Sequence, residues 1–239
     1  MELRGKTALV TGAAKRVGRE IALAFARQGA AIALHYRSSS AEAERTAAEI
    51  RALGVGCRLL RADLDKTDET LRLAAEAGNV DILVNSASLF FKTPMDEPGE
   101  SGWDALLNAN LKAPYLLSRE LGNRMRAGAG GVIVNIADWS GLKPYADYSA
   151  YCASKAGLIA LTKSLARDLG PSVRANAVAP GPVLAPGDFP EKEKEAVAKK
   201  TALGRWGSPA DVAHAAVFLA ESDFINGTVL VVDGGRSLY

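Results

Sequence analysis

The chain has 239 residues, nearly half of them apolar, few aromatics, and a formal net charge of +2. That length suits a single α/β domain, and a near-neutral balance with acids and bases interspersed gives no electrostatic case for a nucleic-acid or membrane partner. Cys57, Cys152, His35 and His214 are scattered, which offers neither a disulfide framework nor zinc-ligand spacing, so no metal is expected.

The chain runs from Met1 through Lys6 straight into a short apolar strand, with no apolar leader core, and no apolar run approaches the ~20 residues that span a bilayer. A cytoplasmic protein is the expectation. Apolar runs predict strands at Thr7–Val10, Ala31–Tyr36, Gly56–Leu60, Ile82–Asn85, Val132–Ile136, Val173–Val178 and Val229–Val232. Helical spacing predicts helices at Arg19–Arg27, Ala41–Ala52, Thr67–Ala77, Trp103–Arg126, Tyr151–Asp168 and Pro209–Ala220. The strands are continuously apolar rather than alternating, as when helices cover both faces of a parallel sheet. The pattern predicts one Rossmann-type domain over residues 1–239: a doubly wound parallel sheet of about seven strands. One stretch departs from it. Pro180–Gly187 is too rich in proline and glycine for a regular element and leads into the charged run Glu191–Lys200. It reads either as a solvated surface loop and helix or as a substrate lid at about 182–205.

The first strand ends in Thr11–Gly12, and the next helix opens near Gly18. Gly12 can take a positive φ and let the backbone approach a diphosphate, whose charge a helix N-terminus stabilises. Arg16 stands where the usual fingerprint has its middle glycine, with Lys15 before it and Val17 after it. At the end of the second strand, NAD sites place an acid for the ribose hydroxyls. Here the sequence is His35-Tyr36-Arg37-Ser38, and Arg37 and Ser38 suit a 2′-phosphate, so NADP(H) is expected. Arg37 opening a solvated loop is the alternative.

Tyr151 and Lys155 lie four apart on a predicted helix and share a face. The ammonium is expected to lower the phenol pKa from about 10, making Tyr151 a proton donor near neutrality.

Taken with Asp63-Leu64, Asn85-Ser86-Ala87, Asn110, Pro180-Gly181 and Val232-Asp233-Gly234-Gly235, these motifs resemble the short-chain dehydrogenase/reductase family over nearly the whole chain. The resemblance implies that Asp63 and Leu64 flank the adenine, and that Asn85 and Ala87 line the cofactor cleft with Ser88, Pro180, Gly181 and Val183. It implies that Asn110 holds a water in a relay to Lys155, and that Lys155 binds the nicotinamide ribose. It also implies a homotetramer paired through the two longest helices.

The family's substrate-binding serine, thirteen residues before the tyrosine, is replaced by Asp138, with Ser140 out of register. With Arg16, His35-Tyr36, Ser88-Leu89-Phe90 and Gly235-Arg236-Ser237-Leu238, this is similar to pteridine reductases and dihydromonapterin reductases. That likeness implies substrate contacts from Arg16, Ser88, Phe90, Asp138, Tyr151 and Leu184. Ser86 and the Arg37-Ser38 pair depart from the pattern, where a second Asn and a His-Arg pair are usual. Phe90 and Phe91 alternatively belong to the core, and Trp139 either closes the cleft or packs under the lid. The expected activity is NADPH-dependent reduction of a pterin or dihydropteridine. The alternatives are a carbonyl reductase, such as one acting on 3-oxoacyl thioesters, and a non-catalytic NADP(H)-binding regulator.

Overall fold

The computed structural model describes residues 1–96, 99–185 and 189–238. Its strands are β1 (Thr7–Val10), β2 (Ala31–Tyr36), β3 (Cys57–Arg61), β4 (Ile82–Asn85), β5 (Gly131–Ile136), β6 (Val173–Pro180) and β7 (Val229–Val232). They form one seven-stranded sheet in the order β3-β2-β1-β4-β5-β6-β7, with every pair parallel. The helices are α1 (Arg16–Arg27), α2 (Ser40–Ala52), α3 (Thr67–Ala77), α4 (Glu100–Leu107), α5 (Ala113–Ala127), α6 (Ser149–Asp168), α7 (Glu191–Ala198) and α8 (Pro209–Glu221).

Alternate residues of each strand enter opposite apolar layers, which explains the unbroken apolar runs. Ala8 and Val10 of β1, Ile32 and Leu34 of β2, and Ile82 and Val84 of β4 pack with Ile21 and Phe25 of α1 and Val212 and Leu219 of α8. Leu9, Ala33 and Leu83 face the other way, onto Leu73 of α3, Leu117 and Leu121 of α5 and Leu165 of α6. Strand order reverses between β1 and β4, and this switch point is where open α/β sheets bind ligands beyond the strand ends.

Two of the larger departures from the expected boundaries have plain physical reasons. The helix expected over Trp103–Arg126 is α4 and α5 joined by a π-helical turn at Asn108–Lys112. The sixth strand runs on to Pro180, because it stays paired with β7 as far as Val232. Of the expected lid at 182–205, residues 186–188 lie outside the described residues. The charged run forms α7, which buries none of its side chains. Trp206 Nε1 donates to the Lys194 carbonyl at 2.9 Å, and Phe189 meets the Trp206 ring edge-on at 6.2 Å.

Candidate active site

At the switch point, Thr11 Oγ1 accepts from the Ser86 and Ala87 amides at 2.9 and 3.0 Å, binding the end of β1 to the turn after β4. Gly12 follows with φ 66°, and a Cβ there would stand 2.8 Å from Ala87 Cα. A Cβ on Gly18 would lie 2.4 Å from the Gly12 carbonyl oxygen, so only glycine lets α1 pack this close to the turn. Arg16 stands at φ 58°, in the left-handed region that favours glycine. A non-glycine residue is strained there, and such strain clusters at functional sites. The N-terminus of α1 has no side-chain cap and no acid in its first turn. Its free N–H groups and positive dipole end fit a diphosphate.

The structure places several of the expected cofactor residues in the interior or packed against it. His35 is only 2% exposed. Its Nδ1 accepts from the Gly12 amide at 3.1 Å, and its Nε2 lies 3.0 Å from the Ala62 carbonyl. A neutral ring protonated at Nε2 satisfies both bonds. Burial pushes its pKa down to about 4, against the opposing effects of the Ala62 hydrogen bond and Asp63. His35 therefore braces the turn from beneath. Tyr36 and Val17 pack against the apolar layer of α1 and α8, as does Val183. Leu64 is a core residue beside Leu60 and Leu73. Asn85 is buried too, its Nδ2 donating to Asn135 Oδ1 at 2.8 Å and to Ser118 Oγ at 3.3 Å. Its side chain links β4 to β5 and α5.

Other expected positions lie at the surface. Lys15, Arg16, Arg37, Ser38 and Ser88 are exposed, and Leu184 is partly so. Arg37 Nη1 stands 3.9 Å from Asp63 Oδ1. Pro180 ends β6, and the Gly181 amide bonds the Val232 carbonyl at 2.9 Å.

At the chemical end, α6 carries Tyr151 and Lys155 one turn apart beside the end of β5. Tyr151 Oη donates to Asp138 Oδ2 at 3.0 Å, while Asp138 Oδ1 accepts from the Ser140 amide at 2.8 Å. Lys155 is buried at 2% exposure, and its Nζ donates to the Ile136 carbonyl at 3.0 Å, lying 5.7 Å from the Tyr151 ring centre. Burial, opposed by Asp138, brings the Lys155 pKa down to about 8. Burial also raises Asp138, against the Ser140 hydrogen bonds and the Lys155 charge. The tyrosine overturns the sequence expectation. Its pKa is raised well above 10, first by burial and then by the charge of Asp138. The Lys155 ammonium, which also donates to the Ile136 carbonyl, does not outweigh these two effects.

Asn110 sits in the π-helical turn, a widening often found at functional sites. Its Oδ1 accepts from the Leu89 amide at 2.8 Å, and its Nδ2 donates to Leu89 O at 3.0 Å and Ser154 Oγ at 3.2 Å. It holds the segment leading to Phe90 and ties it to α6. Phe90 is 51% exposed, which removes the core alternative; it stacks on Tyr148 at 4.7 Å and meets Tyr151 edge-on at 4.8 Å. Tyr145 joins Tyr148 to Trp139, whose other neighbour is the Arg236 guanidinium, 4.8 Å from the ring centre. Of this aromatic arc around the Tyr151–Asp138 pair, Phe90 and Trp139 were legible in the sequence; Tyr145 and Tyr148 were missed, although Tyr145, Tyr148 and Tyr151 recur every third residue.

The family model described as enoyl-(acyl carrier protein) reductase matches residues 12–237. A short-chain type dehydrogenase/reductase of Picea abies is 36% identical, covering 98% of this chain and 93% of that protein. The 3-oxoacyl-[acyl-carrier-protein] reductase FabG of Thermotoga maritima is 34% identical, covering 98% and 99% respectively. A solved structure carrying the provisional name betaketoacyl-ACP reductase superposes with a TM-score of 0.91 at 36% identity, covering 100% of both chains.

Proposed function

We propose, for a chain that belongs to the short-chain dehydrogenase/reductase family, an NADPH-dependent reduction of a pterin or dihydropteridine C=N bond. Its membership makes it an oxidoreductase; the pterin and the choice of NADPH are the proposal. The names of its relatives lean toward carbonyl substrates. The site leans the other way, and it does so where substrate would meet protein. The observation that carries the reading is the 3.0 Å bond from Tyr151 Oη to Asp138 Oδ2, in place of a serine hydroxyl.

When bound, NADPH would supply the hydride that the ring carbon receives. This chain's residues manage everything else. Tyr151 stays protonated through the neutral range, as the acid of a reduction must be, and gives its proton toward the ring nitrogen. Lys155, charged below about pH 8, lies close enough to stabilise the phenolate left behind. Asp138 orients the amino-pyrimidine edge and assists protonation, and Phe90 and Arg16 hold the flat ring. Asn110 fixes the turn that carries Phe90. Arg37 and Ser38 take the 2′-phosphate, Lys15 and the α1 N-terminus the diphosphate, and Asp63, Ala87, Ser88, Pro180, Gly181 and Val183 line the remaining cofactor surface. The lid would bring Leu184 to the substrate. A homotetrameric cytoplasmic enzyme completes the reading, and the exposed groove between Leu107, Leu111, Tyr115 and Leu161 suits a pairing surface on the longest helices.

A second reading, reduction of 3-oxoacyl thioesters, has the relatives' names behind it. One experiment separates the two: NADPH oxidation with dihydrobiopterin, dihydromonapterin, dihydrofolate and a 3-oxoacyl thioester, by the parent and by Asp138→Ser. Pterin turnover in the parent, lost in Asp138→Ser, supports the proposal. Thioester turnover that Asp138→Ser improves replaces it with the second reading. Tight NADPH binding without oxidation on any substrate leaves a non-catalytic regulator.

A further inference from the structure

The ends of β2 and β3 enclose a 690 Å³ cleft lined by Arg37, Ser38, Arg61, Asp63, Lys66, Glu69 and Arg72. Four cations face two carboxylates, an excess of positive charge that matches a phosphate monoester, which carries nearly two negative charges at neutral pH. The carboxylates are already committed. Glu69 lies 3.2 Å from Lys66 and 3.7 Å from Arg72, and it also accepts from the Asp63 amide at 2.8 Å. Asp63 faces Arg37.

Arg61 is different. Among the described residues no carboxylate pairs with it, and its Nη groups make no hydrogen bond. Its Nε donates to the Arg37 carbonyl at 3.1 Å, and its own carbonyl accepts from Arg72 Nη2 at 3.2 Å. The β2–β3 register sets Arg61 opposite Tyr36, directly before Arg37. The side chain is thus fixed by one guanidinium nitrogen while the others remain open, beside the residue already assigned to the 2′-phosphate. A planar guanidinium held this way loses little freedom when it binds a phosphate.

We infer that Arg61, supplied by β3, is a specificity-determining residue that binds the cofactor's 2′-phosphate together with Arg37. The inference rests on the NADP(H) reading above and deepens it: two arginines from neighbouring strands grip one phosphate, and the register between the strands sets their spacing. Lys66 and Arg72 then serve chiefly to neutralise Glu69, which would otherwise repel the anion.

Calorimetric binding of adenosine 2′,5′-bisphosphate and of 5′-AMP to the full chain tests this without turnover. The parent should prefer the bisphosphate. Arg61→Gln should weaken bisphosphate binding about tenfold or more, as expected for a lost charge-assisted bond, and leave 5′-AMP unchanged. Arg61→Lys, which keeps the charge without the fork, should fall between them. If Arg61→Gln weakens both ligands equally, Arg61 shapes the nucleotide cleft without reading the 2′-phosphate and the inference is overturned. It is equally overturned if neither ligand weakens. A parent that binds both ligands alike instead defeats the NADP(H) reading itself, and this inference with it.

Discussion

The buried histidine beneath the nucleotide turn sets a pH dependence of stability that follows from its position. His35 titrates near 6.5 in the unfolded chain and at about 4 when folded, because burial disfavours the imidazolium. The folded pKa is the lower one, so the stabilisation is fully present above pH 6.5. It is lost as pH falls, because the unfolded chain takes up a proton that the folded one refuses until about pH 4. The shift corresponds to about 3 kcal/mol in total, of which about 2 kcal/mol should vanish between pH 7 and pH 5. Asp138 acts with the opposite sign: its raised pKa makes the folded state gain on the unfolded as pH falls. Asp211 and Asp233, both lowered from 3.8, take effect only at more acid pH. Urea denaturation at pH 7, 6 and 5 should show the loss in the parent. His35→Gln, whose amide can still donate toward Ala62, should start less stable yet lose little over the same interval. Parallel slopes in the two proteins would refute the assignment of this titration to His35.

Three further outcomes follow from the chemical end and the nucleotide turn. Tyr151→Phe should lower kcat by about 10²-fold or more, the usual contribution of a positioned acid, with NADPH affinity near normal; unchanged turnover removes Tyr151 from the mechanism. Lys155 is charged only below about pH 8, so kcat/KM for reduction should fall as pH rises through that value, and a flat profile to pH 9 would contradict the stabilising role given to its ammonium. Arg16→Gly should leave thermal stability close to unchanged, since relief of the positive-φ strain offsets the entropy of glycine, while weakening pterin and NADPH binding; undiminished binding would mean that the guanidinium has no part in the site.

Much of the frame was legible because burial on both sheet faces leaves a plain signature. All seven expected strands occur, and Thr7–Val10, Ala31–Tyr36, Ile82–Asn85 and Val229–Val232 match to the residue. Tyr151 and Lys155 were legible because helix geometry alone puts them together. Most of the misses depend on contacts distant in sequence. Nothing near Asn110 announces a π-helical turn, because its partners Leu89 and Ser154 are 21 and 44 residues away. His35 reads as a cleft residue until the Gly12 amide and Ala62 carbonyl are seen to claim both its nitrogens. The direction of the Tyr151 shift was misjudged because a cation one turn away is local knowledge, whereas the depth of burial, the first cause of the shift, is not.

That misjudged shift clarifies what an aspartate changes at position 138. A serine there could donate one hydrogen bond to a substrate oxygen and hold no charge. Asp138 already accepts on both oxygens, from Tyr151 on one and from the Ser140 amide on the other. Burial favours its protonated form, while any charge it does carry pushes the Tyr151 proton more firmly onto the phenol. The two groups are coupled and titrate as a pair. When Asp138 is protonated, the pair holds two transferable protons, and the second must leave the carboxyl in a direction that neither Tyr151 nor Ser140 occupies. A carbonyl needs one proton at the atom that the tyrosine serves. A ring imine in an amino-pyrimidine offers further nitrogens that accept or donate, and a carboxyl can meet those in either protonation state, which a hydroxyl in the same place cannot do with charge.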